Sequence, residues 1–328
     1  MVPLTSEGDV DLRPFDAASR QQQAPTVGLF TKRIQQAVLD ETADIAVHSL
    51  KDLPTATDSR LTLAFVPERG PITDALVHPD GLALDQLPQA SIIGTGSRRR
   101  GAQLLHVRPD LQVRTIRGNV QTRLQKLSDG EYDAIILATA GLERLEYDQV
   151  RRSEIPIDEM LPAPGQGALG IECRSVDQTL VAALRPLNHL PTLLSVTAER
   201  TMLACLQGGC LAPIAASAAM LRTRDESGVI AEGILRLCGV VLSGDGQRYL
   251  SAEHDVELHH DDVKPASDDP QDDNPRDDES VDTADNPWQL EQPVPQHSNA
   301  AQQRTDQWLS LARELGMEVA EMLREDGA

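Results

Sequence analysis

The sequence predicts an α/β protein: two α/β domains around a cleft, followed by a smaller α+β domain. Three observations carry that expectation. From Met1 to Cys173, short apolar runs alternate with stretches of helical period. Prolines cluster at two joints, Pro67 with Pro71 and then Pro156, Pro162 and Pro164, as expected where a chain crosses twice between two halves. Beyond Asn188 the alternation gives way to one helix, two long strand-like runs and a closing helix.

The elements follow in order. Gly28–Asp40 reads as a helix, with Phe30, Ile34 and Val38 four residues apart. Asp44–His48 and Ser91–Gly94 are short strand candidates. Ser97–Val107 opens on a capping hydroxyl and reads as a helix. Leu111–Ile116 is the next strand and Asn119–Ser128 the next helix, opened by a capping amide. Asp133–Ala138 is the clearest strand, since its apolar run has no polar break and suits a strand covered on both faces. Strand and helix in alternation predict a mostly parallel sheet. Gly167–Cys173 reads as a strand returning after the second proline joint. Thr192–Leu206 is a helix, Ala212–Leu221 and Val229–Val241 are strands, and Ala301–Arg324 is a helix with apolar residues at Trp308, Leu309, Leu311, Leu315, Val319 and Met322. The expected domains are 1–68 with 167–187, then 72–162, then 188–328.

Within the last domain, residues 259–300 are rich in Asp, Pro, Asn and Gln and carry a net charge of −10, nearly half of the −21 of the 328-residue chain. Such a composition buries too little apolar surface to offset chain entropy and predicts a disordered acidic insertion. Aromatic residues are only 2% of the chain, which with the net charge argues against nucleic acid as a partner. Leu203–Leu221 lacks charge, but Gln207, Gly208, Gly209 and Pro213 interrupt it, so no membrane span is expected. Cys173, Cys205, Cys210 and Cys238 form no CxxC pair, and the eight histidines show no metal-ligand spacing. No signal peptide is visible, and a reducing, cytoplasmic location is the simpler reading.

Three places carry chemistry. Gly94-Thr-Gly-Ser-Arg-Arg-Arg-Gly101 and Ile116-Arg-Gly-Asn-Val-Gln-Thr-Arg123 each follow a strand and open a helix. Helix N-termini favour anions and Arg adds forked donors for carboxylates, so two such joints at one sheet edge predict a pocket for a polyanion. His48-Ser-Leu-Lys-Asp-Leu-Pro54 ends a strand. Asp52 there either faces the cleft, ionised beside arginine, or serves as a turn cap before Pro54, and His48 reads as a structural residue. In Gly208-Gly-Cys210 the glycines would let the backbone hold an exposed sulfur; the alternative is a small buried apolar side chain.

Taken together these stretches resemble the porphobilinogen deaminases (hydroxymethylbilane synthases). The matches are Ala43–Pro54, the two arginine loops, Glu131–Ala138 running on to Gly141–Arg144, Leu161–Gly167, Ala198-Glu-Arg200 and Gly208–Cys210. The resemblance implies two periplasmic-binding-protein-like domains plus a small third one. It implies a dipyrromethane cofactor thioether-linked to Cys210. Four porphobilinogen units would be added to it, each losing ammonia, before hydrolysis releases hydroxymethylbilane for tetrapyrrole biosynthesis. Asp52 would contact pyrrole N–H groups and stabilise the cation formed. Lys51, Ser97, Arg99, Arg100, Arg117, Asn119 and Arg123 would hold the cofactor, and Phe30, Arg144 and Gln166 the substrate. No metal is implied, and the expected state is a monomer.

The sequence also departs from the family pattern. Members open with a further strand and helix whose Arg and Ser residues help to hold the cofactor, whereas this sequence begins at what corresponds to the second strand. A start assigned too far downstream or a true fragment would explain this, and the intact motifs favour the former. Val27 stands where the family has a lysine before Gly28, in a segment that covers the active site. A non-catalytic polycarboxylate-binding module and an inactive paralogue remain alternatives from the residues alone.

Overall fold

The computed structural model describes residues 29–56, 58–206, 213–224, 230–259 and 298–328. Helix α1 (Leu29–Leu39) precedes β1 (Ile45–Ser49), a single 3₁₀ turn (Leu50–Asp52) and β2 (Leu61–Phe65). The chain then crosses to β3 (Asp74–Val77), β4 (Ile92–Gly94), α2 (Arg98–Val107), β5 (Gln112–Arg114), α3 (Val120–Ser128), β6 (Ala134–Ala138), α4 (Thr139–Arg144) and β7 (Arg152–Ile155). It returns as β8 (Leu169–Arg174), followed by α5 (Gln178–Leu184) and α6 (Leu190–Cys205). The last elements are β9 (Ile214–Arg224), β10 (Ile230–Leu242), β11 (Tyr249–His259) and α7 (Ser298–Glu325).

Three sheets result, with strand orders β1-β8-β2, β5-β4-β6-β3-β7 and β11-β10-β9. The expectation of mostly parallel sheets is corrected here. In the first sheet the returning β8 inserts between β1 and β2 and runs against both. In the second, β4 pairs in parallel with β5 and β6, while β3 runs against β6 and β7. Parallel neighbours need a crossover, which α2 and α3 provide; β3 and β8 instead arrive through the proline-marked crossings, which reverse their direction. The fold class is nonetheless α/β, closed by an α+β unit.

The second sheet is covered on both faces. Leu76, Ala134 and Ile136 face a layer with Ile93, Leu104 and Met160, while Ala75, Val77, Ile135 and Leu137 face Ile116, Leu127 and Leu142. This follows from the period of two along Ala75–Val77 and Ala134–Ala138, where every residue is apolar. In the first sheet, α1 packs Val38 against Ala46 and Leu61, and Arg174 donates to the carbonyls of Val38 (2.9 Å) and Ala43 (3.0 Å) at the helix end. Among the described residues β1 is an edge strand that shows Ile45 and Val47 to the surface.

The third sheet is an antiparallel meander with α6 and α7 on one face, built around Met202, Leu235, Leu237, Trp308, Leu315 and Val319. Gly316 permits the helices to touch, since a Cβ there would sit 2.5 Å from the Ala198 carbonyl oxygen. Its other face sets Ala215, Val240 and Leu242 against Ala102 of α2 and Leu161. The elements that sequence reading missed have physical reasons. β7 is half charged and has no apolar period, and β11 turns only Ala252 and Leu258 fully inward. β2 does alternate Leu61, Leu63 and Phe65, but the nearby Pro67 reads as a joint. The acidic tract lies outside the described residues apart from His259 and the first residues of α7.

Candidate active site

The site is assembled where two sheets and a helix of the third unit meet. β1 delivers the chain into the 3₁₀ turn Leu50–Asp52, whose Leu50 is fully buried. The Leu50 amide donates to the Ala168 carbonyl (3.0 Å), and the turn closes through the Leu53 amide to the Leu50 carbonyl (3.3 Å). Gly165, at φ +76°, lies so close beneath that a Cβ would sit 3.2 Å from the Lys51 nitrogen, hence the glycine. With Leu50 anchored inward, Lys51 is half-buried and Asp52 is exposed. Burial, and next the nearby Arg100 charge, lower the Lys51 pKa to about 8, with Asp52 and Asp74 opposing.

The two arginine loops leave the same edge of the second sheet, because β4 and β5 are parallel neighbours paired from Ile92–Gln112 to Gly94–Arg114. Ser97 caps α2, its hydroxyl accepting from the Arg100 amide at 3.4 Å. Asn119 caps α3 through the Thr122 amide at 2.9 Å. Arg123 is held by its Nε, which donates to the Gly118 carbonyl at 2.8 Å. Burial lowers the proton affinity of Arg123, as do the charges of Arg100 and Arg117, while Asp52 raises it. Lys51, Arg100, Arg117, Arg123 and Asp52 therefore share one electrostatic neighbourhood, in which cations outnumber carboxylates.

Behind it lies an ionic knot. Asp74, fully buried on β3, accepts from Arg99 Nη2 (2.6 Å), from Arg100 Nε (3.0 Å) and Nη2 (2.7 Å), and from Gln166 Nε2 (2.9 Å). Arg99 also donates to the Leu161 carbonyl (2.5 Å), Arg100 to that of Ile136 (3.1 Å), and Gln166 to that of Ile72 (2.7 Å). Burial alone would raise the Asp74 pKa, but Arg100 and Arg99 outweigh it and hold the carboxyl below the usual carboxylate range. Arg99, Arg100 and Gln166, which the resemblance gives as cofactor and substrate contacts, are thus buried and turned toward this carboxylate. The reason is Asp74, whose partner role no local pattern announces.

The other residues singled out in the sequence fall in different places. Arg144 is exposed at the end of α4 and donates to the Gly167 carbonyl at 2.6 Å. Phe30 is on α1, but its side chain lies outside the described residues, as do Val27 and Cys210. Leu206, just past α6, and Pro213, just before β9, are the described residues nearest to Cys210 in the sequence. His48 is buried with its Nε2 2.9 Å from Glu172 Oε2, in keeping with a structural residue.

Three residues without a role in the sequence reading prove central. Glu199 of α6, fully buried, takes the Arg69 guanidinium on both oxygens (2.8 and 2.9 Å) and accepts from the amides of Gly165 (2.7 Å) and Ala218 (2.8 Å). Arg200 grips the carbonyls around Asp52. The motif Ala198-Glu-Arg200 was a signal, but one that named no contacts.

Comparison with known proteins fits this geometry. A family model described as "Porphobilinogen deaminase, dipyromethane cofactor binding domain" matches residues 1–182. The chain belongs to the porphobilinogen deaminase family. The family's C-terminal domain model matches residues 193–271. A porphobilinogen deaminase of Mycobacterium bovis is 45% identical over 253 residues, covering 77% of this chain and 79% of the relative. Those of Mycobacteroides abscessus (246 residues, 74% and 78% covered) and Brevibacillus brevis (221 residues, 67% and 69% covered) are 44% identical. A solved substrate-binding domain of a putative amino acid ABC transporter from Streptococcus pneumoniae has a TM-score of 0.33 at 14% identity, covering 47% of this chain and 69% of that one, too slight a likeness to bear on the fold.

The deaminase domain so identified is the one that binds dipyrromethane. The residues present fit that group. Lys51 and Arg123 are held partly out of water beside like charges, an arrangement that carboxylate side chains on a ligand would relieve. Among the described residues there is no cluster that could hold a metal, and no helix is long and apolar enough to cross a membrane.

Proposed function

We propose that this chain condenses porphobilinogen units stepwise, with loss of ammonia, and releases hydroxymethylbilane by hydrolysis, with Asp52 as the catalytic carboxylate. The observation that carries the proposal is an exposed acid, Asp52, that shares its electrostatic neighbourhood with Lys51 and Arg123. The bound dipyrromethane supplies the primer to which the first unit is joined. Cys210, five residues after the end of α6 in the sequence, is its point of attachment.

Lys51, Arg117 and Arg123 bind carboxylates of the cofactor and the growing chain, with Ser97 and Asn119 fixing the helix starts that carry the arginines. Arg99 and Arg100 support the pocket from behind through Asp74, and Arg100 lends its charge to it. Gln166 ties the second crossing to the same acid. Asp52 accepts from pyrrole N–H groups and stabilises positive charge on the pyrrole as ammonia departs, a role for which an ionised carboxylate near cations is suited. Phe30 and Arg144 serve the incoming substrate. The three sheets act as three domains, divided at 68–72, 162–167 and 187–188. The protein works in the cytoplasm as a monomer, without nucleic acid.

Intact mass under denaturing conditions tests the reading. Protein made in cells that supply porphobilinogen should gain the mass of two porphobilinogen units less two ammonia, and Cys210→Ser should lack that gain. Asp52→Asn should keep the gain yet lose about 10²-fold or more in ammonia release. Undiminished release by Asp52→Asn, or normal loading of Cys210→Ser, would refute the assigned roles.

A further inference from the structure

We propose that Arg200, on a helix of the third unit, is the positioning residue of Asp52. The inference rests on the catalytic role given to Asp52 above. Arg200 Nη1 donates to the carbonyls of Leu50 (2.9 Å) and Leu53 (2.7 Å), and Nη2 to that of Pro54 (2.8 Å). These carbonyls bracket Lys51 and Asp52 on both sides.

A single 3₁₀ turn closed by one 3.3 Å bond has little stiffness of its own, and of the carbonyls that Arg200 reaches only that of Leu50 takes part in that bond. A guanidinium on three of them supplies charge-assisted bonds in a fixed fork. It holds the backbone around Asp52 without occupying the carboxylate itself. Beside it, Val196 and Leu193 of α6 pack against Leu50 and Leu53, so the helix meets the turn through apolar and polar contacts together.

The helix is also a ruler. Arg200 stands ten residues before Cys210, and α6 runs on to Cys205, whose carbonyl accepts from Arg324 of α7. The rod that grips the Asp52 turn therefore ends five residues before the attachment cysteine in the sequence. Its pinned end fixes where Cys205 stands relative to the Asp52 turn.

The test compares Arg200→Ala, Arg200→Lys and Asp52→Asn with the double variant, on protein whose cofactor loading is verified by mass. Arg200→Ala should lower kcat about 10²-fold with a much smaller change in KM, the cost of a displaced catalytic group, and Arg200→Lys should recover part of it. Because Arg200 acts through Asp52, the double variant should be no slower than Asp52→Asn alone. Independently of activity, amide exchange across residues 50–53 should quicken in Arg200→Ala while the α7 core keeps its protection. Additive losses in the double variant, or unchanged exchange in the turn, would overturn the inference and leave the function standing. A wild-type protein that releases no ammonia from porphobilinogen would overturn the function and the inference with it.

Discussion

Lys51 illustrates how one side chain's surroundings set its chemistry. Its amine is held partly out of water and near Arg100, which brings its pKa down from 10.5 to about 8. At neutral pH it remains mostly protonated and still attracts carboxylates. Its charge is lost as pH rises through about 8, well before that of a solvated lysine. The sign for stability follows. Below about 8 both folded and unfolded chains carry the proton and the full penalty applies; between about 8 and 10.5 only the unfolded chain binds it, so this group's penalty shrinks as pH rises. We expect kcat/KM for porphobilinogen to fall above about pH 8, and that limb to weaken in Lys51→Met, as read from paired pH profiles. An unchanged alkaline limb in Lys51→Met would remove Lys51 from the pocket.

At the scale of elements, the first turn of α2 is fixed to β3 by the Asp74 knot. Two guanidiniums and one carboxylate are buried together with Gln166. Asp74→Asn would leave two buried cations facing a neutral amide, so a loss of about 3–5 kcal/mol in urea unfolding is expected. A loss below about 1 kcal/mol would mean that the arginines find other partners or water. The acid limb has its own sign. Because the folded-state carboxyl titrates below the ordinary range, its contribution is complete above about pH 4 and is lost as pH falls below it. The wild type should therefore lose stability in acid more steeply than Asp74→Asn.

Across the whole molecule, the third unit touches both of the others. Glu199 and Arg200 tie it to the two crossings and to the Asp52 turn, while the β10–β11 hairpin sits on α2. At the hairpin, the His106 ring nitrogen Nδ1 lies 2.9 Å from the Gly246 carbonyl oxygen, and the His106 ring stacks on Tyr249 at 4.6 Å. Gly246 has φ +73°, and a Cβ would sit 2.5 Å from the Ala102 carbonyl oxygen, so only glycine fits without backbone movement. Gly246→Ala should unseat the hairpin and cost about 1–3 kcal/mol. Amide exchange should quicken in both 98–107 and 243–249, with the core around Trp308 and Leu315 unaffected. Acceleration limited to the hairpin would show that the contact does not stabilise α2.

By itself the sequence determined strands whose apolar run is unbroken, such as Ala134–Ala138, both crossings, and the helix starts marked by the caps Ser97 and Asn119. It also determined the family, because the motifs there are runs of adjacent residues that can be matched without coordinates. Strand direction was not legible, since pairing depends on where a crossing delivers the chain: β8 reads alike whether it runs with β1 or against it. Nor did sequence separate Arg100 from Arg123, which sit in similar Gly- and Arg-rich joints. Only the tertiary structure did so, by bringing Asp74 from the far side of a crossing to Arg100 and leaving Arg123 beside Asp52. Partners distant in the chain leave no local period, and their burial decides whether a charge serves the fold or the pocket.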